Sequence, residues 1–307
     1  MNSVVLRDGR RLAYLAVGPA DGLLVLYLHG AIGSPQTVGA ELEAVVRDLG
    51  IRYVMVSRPG FGGSDPLPGR TLLSFAQDVA QLADALGRTR FAVVGVSAGG
   101  PYALACAHEL PDRVQVAAVV SCLTVRGCAT TGLPAAARAG LRAVRAQPRA
   151  CAAGGDALLG LARRHPQLVA RVIREGAPAA DRHGLDESGA RELAASRFLA
   201  AARGGVGGMI DDYVLCGRPW GFAPAAIRPL VQLWHGMQDA LVPVDDAILL
   251  AAALPNVQTA LDPDEGHFFY RRRLHEILGD VAGATMSASR ADQPKSRAPR
   301  PRPVSGS

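Results

Sequence analysis

The stretch Phe91-Ala-Val-Val-Gly-Val-Ser-Ala-Gly-Gly-Pro-Tyr102 constrains this chain more than any other. Residues 91–96 run without a polar side chain, as a strand buried on both faces of a parallel sheet requires. Residues 98–108 then read as a helix, closed ahead of Leu110-Pro111 because a residue before proline disfavours the helical conformation. Between strand and helix lies Gly95-Val96-Ser97-Ala98-Gly99, a G-x-S-x-G. A sharp strand-to-helix turn crowds the positions two before and two after its serine, and glycine at both relieves the crowding. The serine hydroxyl is then held out as a nucleophile before a helix N-terminus, whose free N–H groups favour developing negative charge. In a chain with 35 glycines the motif could be a glycine-rich turn with a solvated serine. The strand before it and the helix after it favour the presented nucleophile.

The flanking pattern repeats the same strand-then-helix alternation. Residues 3–7 and 11–17 alternate as half-buried strands around Asp8-Gly9, a hairpin signal. Residues 23–28 form a buried strand ending in His29-Gly30-Ala31-Ile32-Gly33, and 35–49 have helical spacing with Gly50 as the stop. A strand over 52–56 leads into Ser57-Arg58-Pro59-Gly60-Phe61-Gly62-Gly63-Ser64, and a helix over 71–86 begins at Thr71 and stops at Gly87. After the serine turn comes a strand over 114–121. An antiparallel start followed by alternating strands and helices predicts a mostly parallel sheet with helices on both faces.

From residue 123 to 224 no buried strand is legible. Helices are expected over 133–146, 156–175, 186–203 and 206–216, with Leu158, Leu161, Leu168 and Val172 at helical spacing. The sheet resumes at 229–234, with a helix over 244–254, a last strand over 257–261 and a last helix over 268–278. The division expected is a core of 1–122 and 225–281, a helical insertion of 123–224, and a disordered basic tail of 282–307, which lacks an apolar period.

Composition narrows the function classes. Hydrophobic residues make up 49% and charged residues 20%, enough for a sizeable core, while the 5% aromatic content makes that core one of Leu, Val and Ala. Of the net charge of +6, +4 falls in the tail, from Arg290, Lys295, Arg297, Arg300 and Arg302 against Asp292, so the remaining +2 argues against nucleic acid as a partner. The five cysteines, Cys106, Cys122, Cys128, Cys151 and Cys216, have no metal-binding spacing and read as reduced thiols of a cytoplasmic protein. Neither a leader peptide nor a membrane span is expected, and neither a metal site nor a dinucleotide or P-loop fingerprint appears, so no cofactor is expected. Oligomeric state is open.

Five motifs in sequence order carry a resemblance. They are His29-Gly30 after a strand, Arg58-Pro59-Gly60-Phe61-Gly62-Gly63-Ser64 after the next, the G-x-S-x-G, His235-Gly236-Met237-Gln238-Asp239-Ala240-Leu241-Val242-Pro243, and Gly266-His267. Along residues 3–280 the chain resembles the α/β-hydrolase family, which implies a mostly parallel eight-stranded sheet flanked by helices, with the 123–224 insertion as a helical cap. The resemblance implies Ser97 as nucleophile, His267 as its base and Asp239 as the acid orienting His267, in the order this fold uses. Asp262, Asp264 and Glu265 are rival acids, set aside because they share the histidine's own loop.

The resemblance also implies an oxyanion pocket made by the Ala98 and Ala31 N–H groups, with His29 bracing the loop. Met209, Tyr213, Trp220 and Phe222 are candidates to bind substrate, or else to pack the insertion on the core. His235 and the Arg58 loop read as structural, and the remaining histidines as surface residues. The expected function is hydrolysis of a small-molecule ester through an acyl-enzyme. Aminopeptidase, acyltransferase or C–C hydrolase chemistry on the same triad is the alternative, and a non-catalytic small-molecule binding module the alternative of another class. Epoxide and haloalkane hydrolysis are disfavoured because those relatives carry an aspartate at the Ser97 position.

Overall fold

The structure, a computed structural model, describes residues 1–33, 39–124, 135–186 and 189–291. Eight strands form one sheet in the order β1-β2-β4-β3-β5-β6-β7-β8. The elements are β1 (Asn2–Val5), β2 (Arg11–Val17), β3 (Leu23–Leu28), β4 (Ile51–Val56), β5 (Phe91–Val96), β6 (Val114–Val120), β7 (Leu230–Gly236) and β8 (Val257–Asp262). β1 and β2 join antiparallel at one edge, and all pairings from β4 to β8 are parallel. The mostly parallel sheet expected from the alternation is thus the one found, and every residue of β5 is buried.

Strand periodicity sorts the core into two layers. Leu24, Leu26 and Leu28 of β3 face α2 (Leu72–Ala85), α3 (Gly99–Glu109) and α10 (Val244–Ala253), in a cluster with Phe75, Tyr102 and Leu250. Val25 faces the other way, toward α1 (Ala40–Asp48) and α11 (Leu274–Ala291), with Val46, Leu278 and Val281. Helix α1 takes the later part of the helix expected over 35–49, whose first residues lie outside the described ones. Helix α2 starts where expected: Thr71 Oγ1 accepts from the Ser74 N–H at 3.0 Å in a capping box. Cys106, Cys122 and Cys216 are buried, and burial pushes the Cys106 and Cys122 thiols well up from their ordinary range. Cys128 lies outside the described residues.

Two expectations at the helix level need correction. The helix expected over 156–175 is two helices, α5 (Pro148–Arg164) and α6 (Pro166–Gly176), broken at His165, because Pro166 has no N–H to continue α5 and takes a first-turn position of α6 instead. Helix α7 (Ala179–Asp186) had no counterpart in the sequence pattern; α8 (Ala190–Ala201) starts later than expected, and α4 (Ala135–Ala146) and α9 (Gly207–Cys216) fall as expected. The last helix also differs from the expected 268–278. A short 3-10 turn, Phe269–Arg271, precedes α11, which continues to Ala291, so residues 282–291 are helical rather than the start of a disordered tail. Val281, Ala282 and Thr285 are buried against the sheet, and the Thr285 hydroxyl donates to the Val281 carbonyl at 2.7 Å. Residues 292–307 lie outside the described residues.

Candidate active site

The residues singled out in the sequence gather at the carboxyl ends of the parallel strands, where crossover connections leave a crevice in open α/β sheets. Ser97 follows β5, Asp239 follows β7, His267 follows β8, and His29 and Arg58 follow β3 and β4. Ser97 has φ +53°, a left-handed conformation in a residue with a Cβ. The crowding inferred from the motif is present: a Cβ on Gly95 would lie 2.3 Å from the Gly99 carbonyl oxygen, and one on Gly99 would lie 2.0 Å from that of Leu28. The turn is anchored by the Ser97 N–H donating to the Val120 carbonyl and by the Ser97 carbonyl accepting from the Gly100 and Leu123 N–H groups.

The structure brings Ser97, His267 and Asp239 together. His267 Nε2 lies 3.0 Å from Ser97 Oγ, and His267 Nδ1 lies 2.7 Å from Asp239 Oδ2. The loops carrying the latter two are laced at the backbone, where the Met237 N–H donates to Asp262 and the Gln238 N–H to Glu265. Gly236 permits that approach, since a Cβ there would meet the Glu265 carbonyl oxygen at 2.4 Å. Asp239 Oδ1 accepts from the Leu241 and Val242 N–H groups, both at 2.8 Å.

Burial alone would raise the Asp239 carboxyl, but the facing His267 imidazole and the hydrogen bonds to the carboxylate hold it below its ordinary value. Burial alone would lower His267, but the Asp239 carboxylate outweighs it and raises the imidazole above its ordinary value. An imidazole held in this way can take the Ser97 proton through Nε2 while Nδ1–H stays on the carboxylate.

Two of the three rival acids are engaged elsewhere. Asp262 pairs with Arg273 at 2.8 Å, and Glu265 pairs with Arg272. His235 is buried, its Nε2 against the Val242 carbonyl at 2.9 Å, and burial holds its pKa down.

Gly30 lies against the nucleophile, where a Cβ on it would be 3.5 Å from Ser97 Cβ. Ala98 is fully buried and Ala31 half-buried beside the core. His29 Nδ1 is 2.8 Å from the Gly30 carbonyl oxygen, and the Arg58 N–H donates to His29 Nε2 at 3.3 Å. Burial and the adjacent Arg58 cation keep His29 well below its ordinary pKa, so it is neutral, with its proton on Nδ1.

The four substrate-binding candidates separate. Phe222 stacks on His108 with ring centroids 5.0 Å apart, and Trp220 lies 5.7 Å from Phe222. His108 stands nine residues along α3 from Gly99, about 13 Å down the helix axis from the Ser97 turn. Phe222 therefore packs the exit of the insertion onto the far end of α3, whereas Trp220 Nε1 donates to the Cys216 carbonyl at 3.3 Å, and the Cys216 thiol in turn lies 3.7 Å from the Ala98 carbonyl oxygen. Met209 follows Gly208, whose backbone backs onto Gly60 beside the Arg58 turn. Tyr213 packs on the core with the Arg145 guanidinium 5.5 Å above its ring.

Sequence reasoning missed three polar residues here. Arg58 is fully buried and Asp212 of α9 pairs with it at 2.5 Å. Asp181 of α7 is buried, with Oδ1 accepting from the Phe268 N–H at 3.0 Å, next to His267. Ser121, at φ +46°, donates its hydroxyl to the His267 carbonyl at 3.0 Å. A signal for Asp212 exists in the spacing of Gly208, Asp212 and Cys216, which share one buried face of α9.

Among the described residues no group of His, Cys, Asp or Glu side chains is arranged to hold a metal ion, and no helix is long and apolar enough to cross a membrane. A cavity of about 810 Å³ lies inside the insertion, lined by Arg163, Pro166, Ala170, Ala195 and Leu199 among others, and none of the four substrate-binding candidates lines it.

Residues 24–271 match the family of the alpha/beta hydrolase fold, and the chain belongs to that family. A non-heme chloroperoxidase of Streptomyces lividans is 34% identical over 123 residues, which is 39% of this chain and 44% of that protein. The chain thus spans less than half the length of the curated relatives it matches. Among solved structures, a hydrolase from Pseudomonas aeruginosa PA01 superimposes with a TM-score of 0.67 at 19% identity, covering 94% of this chain and 97% of that one. The esterase RhEst1 from Rhodococcus sp. ECU1013 superimposes with a TM-score of 0.66 at 20% identity, covering 92% and 98%.

Proposed function

We propose that this protein is a serine hydrolase that cleaves a small-molecule ester through an acyl-enzyme on Ser97. The observation that carries the reading is the hydrogen-bonded line from Ser97 Oγ through His267 to Asp239, with the serine held in a strained turn. His267 Nε2 accepts the hydroxyl proton as Oγ attacks the ester carbonyl, and the carbonyl π electrons move onto oxygen. The Ala98 and Ala31 N–H groups face that oxyanion. As the tetrahedral adduct collapses, the imidazolium returns the proton to the departing alkoxide, and the acyl group stays on Ser97. Water then repeats the sequence, with the same imidazole as base. Asp239 stays ionised throughout and holds the imidazole in the tautomer with Nδ1–H. An ester is favoured over an amide because an alkoxide departs more readily than an amine.

The 123–224 insertion serves as a cap that excludes water, with Met209 and Tyr213 as the residues we assign to the substrate side. An alkyl p-nitrophenyl phosphonate tests the mechanism. Mass mapping is expected to place one adduct on Ser97, and p-nitrophenyl esters of graded acyl length are expected to turn over in the native protein and not in Ser97→Ala. A folded protein that neither labels at Ser97 nor turns over any ester of the series would instead support a binding module.

A further inference from the structure

A buried ionic knot ties α9 of the insertion to the loop that carries Ala31. The Arg58 side chain is fully buried, and so is that of Asp212. Arg58 Nε donates to Asp212 Oδ2 at 2.7 Å, and Nη2 reaches the same oxygen at 2.5 Å. Asp212 Oδ1 accepts from Tyr102 Oη at 2.6 Å and from Arg70 Nη2 at 2.8 Å. Arg70 Nη2 also donates to the Gly208 carbonyl at 2.9 Å. The remaining donors of Arg58 point to the oxyanion loop: Nη1 donates to the His29 carbonyl, and Nη2 donates to the Gly30 carbonyl at 3.2 Å. The rings of Phe61 and Tyr102 lie 5.1 and 4.9 Å from the guanidinium carbon.

Peptide planarity gives this knot a chemical consequence. The Gly30 carbonyl and the Ala31 N–H belong to one rigid unit and point in opposite directions. Arg58 Nη2 and His29 Nδ1 both grip that carbonyl, so together they fix the direction of the Ala31 N–H. The planar guanidinium fork can do this only while its other edge is held, and Asp212 is what holds it.

We infer that Arg58 and Asp212 are positioning residues that couple the docking of α9 to the aim of the Ala31 oxyanion donor. This rests on the acyl-enzyme reading above. A buried knot that served packing alone would have no reason to end on the two carbonyls next to that donor. The close backbone approach of Gly60 to Gly208 supports the coupling: a Cβ on Gly208 would lie 2.6 Å from the Gly60 carbonyl oxygen, so α9 docks directly on the turn that carries Arg58.

The test uses the full chain with Arg58→Lys and Asp212→Asn. The readouts are kcat and KM on p-nitrophenyl butyrate, the Ki of an aryl trifluoromethyl ketone, which forms a tetrahedral oxyanion adduct, and the pH profile of kcat/KM. Losing one oxyanion donor typically costs about 10²–10³ in kcat, so misaiming one is expected to cost about 10–100-fold. KM should stay within about threefold, Ki should weaken in proportion to kcat/KM, and the midpoint of the pH profile should not move, since His267 is untouched.

Arg58→Lys keeps the charge balance of the knot, so it decides the matter if Asp212→Asn does not fold. Lysine keeps the pairing with Asp212 but cannot also hold both carbonyls from a planar fork. Folded variants with wild-type kcat and Ki would overturn the coupling and leave the acyl-enzyme standing. Absence of ester turnover and of Ser97 labelling in the native protein would overturn both.

Discussion

Replacing Asp239 by asparagine gives the sharpest reading of the proposed triad, because the structure dictates which way the amide must sit. Asp239 Oδ1 accepts two backbone N–H groups at 2.8 Å, and Oδ2 faces His267 Nδ1 at 2.7 Å. In Asp239→Asn the amide oxygen is kept at the Oδ1 position by those two donors, so the NH₂ group faces His267. Two donors then confront each other, the imidazole moves its proton to Nε2, and Ser97 loses its base.

The alternative is to flip the amide and set NH₂ against two buried N–H groups. Leaving two such groups unsatisfied costs about 1–3 kcal/mol each, or ~2–6 kcal/mol in all. Activity survives only through that minor arrangement, so the loss is on the order of 10²–10⁴ in kcat at ~1.4 kcal/mol per factor of ten. The same aspartate-to-asparagine change in the Ser-His-Asp triad of a serine protease sits at the upper end of that range, about 10⁴.

The assay is kcat/KM on p-nitrophenyl butyrate for the amide variants at 239, 262, 264 and 265 and for Asp181→Asn, with circular dichroism to confirm folding. Asp262, Asp264 and Glu265 amides should lose no more than about tenfold, since they act on the site only through field and loop position. A near-native Asp239→Asn beside a collapsed variant at any of the other four positions would refute the assignment and require a new orienting acid for His267.

Further outcomes follow from the same geometry. In the native protein kcat/KM should rise with pH to a plateau with a midpoint above about 6.5, because Asp239 raises the His267 pKa and only the neutral imidazole is a base; a midpoint below 6.5 would contradict that ion pair. The stability contributed by Asp212 is full above the ordinary carboxylate range and is lost only as pH falls through its depressed folded pKa, so inactivation between pH 7 and 5 should reverse on neutralisation. A chain ending at Ala291 should keep its Tm, whereas one ending at Ala284 removes buried Thr285 and should melt a few degrees lower, for a loss on the order of 1 kcal/mol. Gly99→Ala, whose Cβ would lie 2.0 Å from the Leu28 carbonyl oxygen, should cost about 3 kcal/mol or prevent folding, while Gly140→Ala in open space on α4 should be neutral or stabilising by about 0.5–1 kcal/mol, as denaturant melts would report.

What could be read from the sequence was what is written locally. The strands β3 and β5 fall at their expected residues because each is a short apolar run bounded by turn residues. That Ser97, Asp239 and His267 would come together was legible because each follows a strand in a motif whose order along the chain is fixed. The insertion was harder. Its helices are Ala- and Arg-rich, so apolar spacing blurs, and Pro166 divides what periodicity alone joins. Buried charge was barely legible. Only the four-residue spacing of Gly208, Asp212 and Cys216 sets Asp212 apart from the more exposed Asp211 beside it, and Asp181 sits in a helix the pattern did not mark. Such residues are defined by partners more than 100 positions away in Tyr102 and Arg58, or 87 in Phe268.

Those buried acids bear on how a substrate reaches Ser97. The insertion sends one carboxylate, Asp181, to the loop that carries His267, and another, Asp212, to the turn that holds the Ala31 loop. Lifting the insertion away as a rigid lid would strip Arg58 and Arg70 of their buried counterion. Removing one partner of a buried pair costs about 3–5 kcal/mol where the other charge stays buried, so lifting is disfavoured to the extent that Arg58 stays enclosed by the Phe61 and Tyr102 rings. Asp181 adds to that penalty, because the Phe268 N–H would lose its acceptor at the same time. Substrate entry is therefore expected to proceed by smaller displacements within the insertion, with α9 and its Asp212 left in place. A disulfide that locks α9 to the Gly60 turn should then leave turnover of short esters intact, whereas a strong loss of kcat/KM in the oxidised form, restored by reductant, would show that the whole insertion must open.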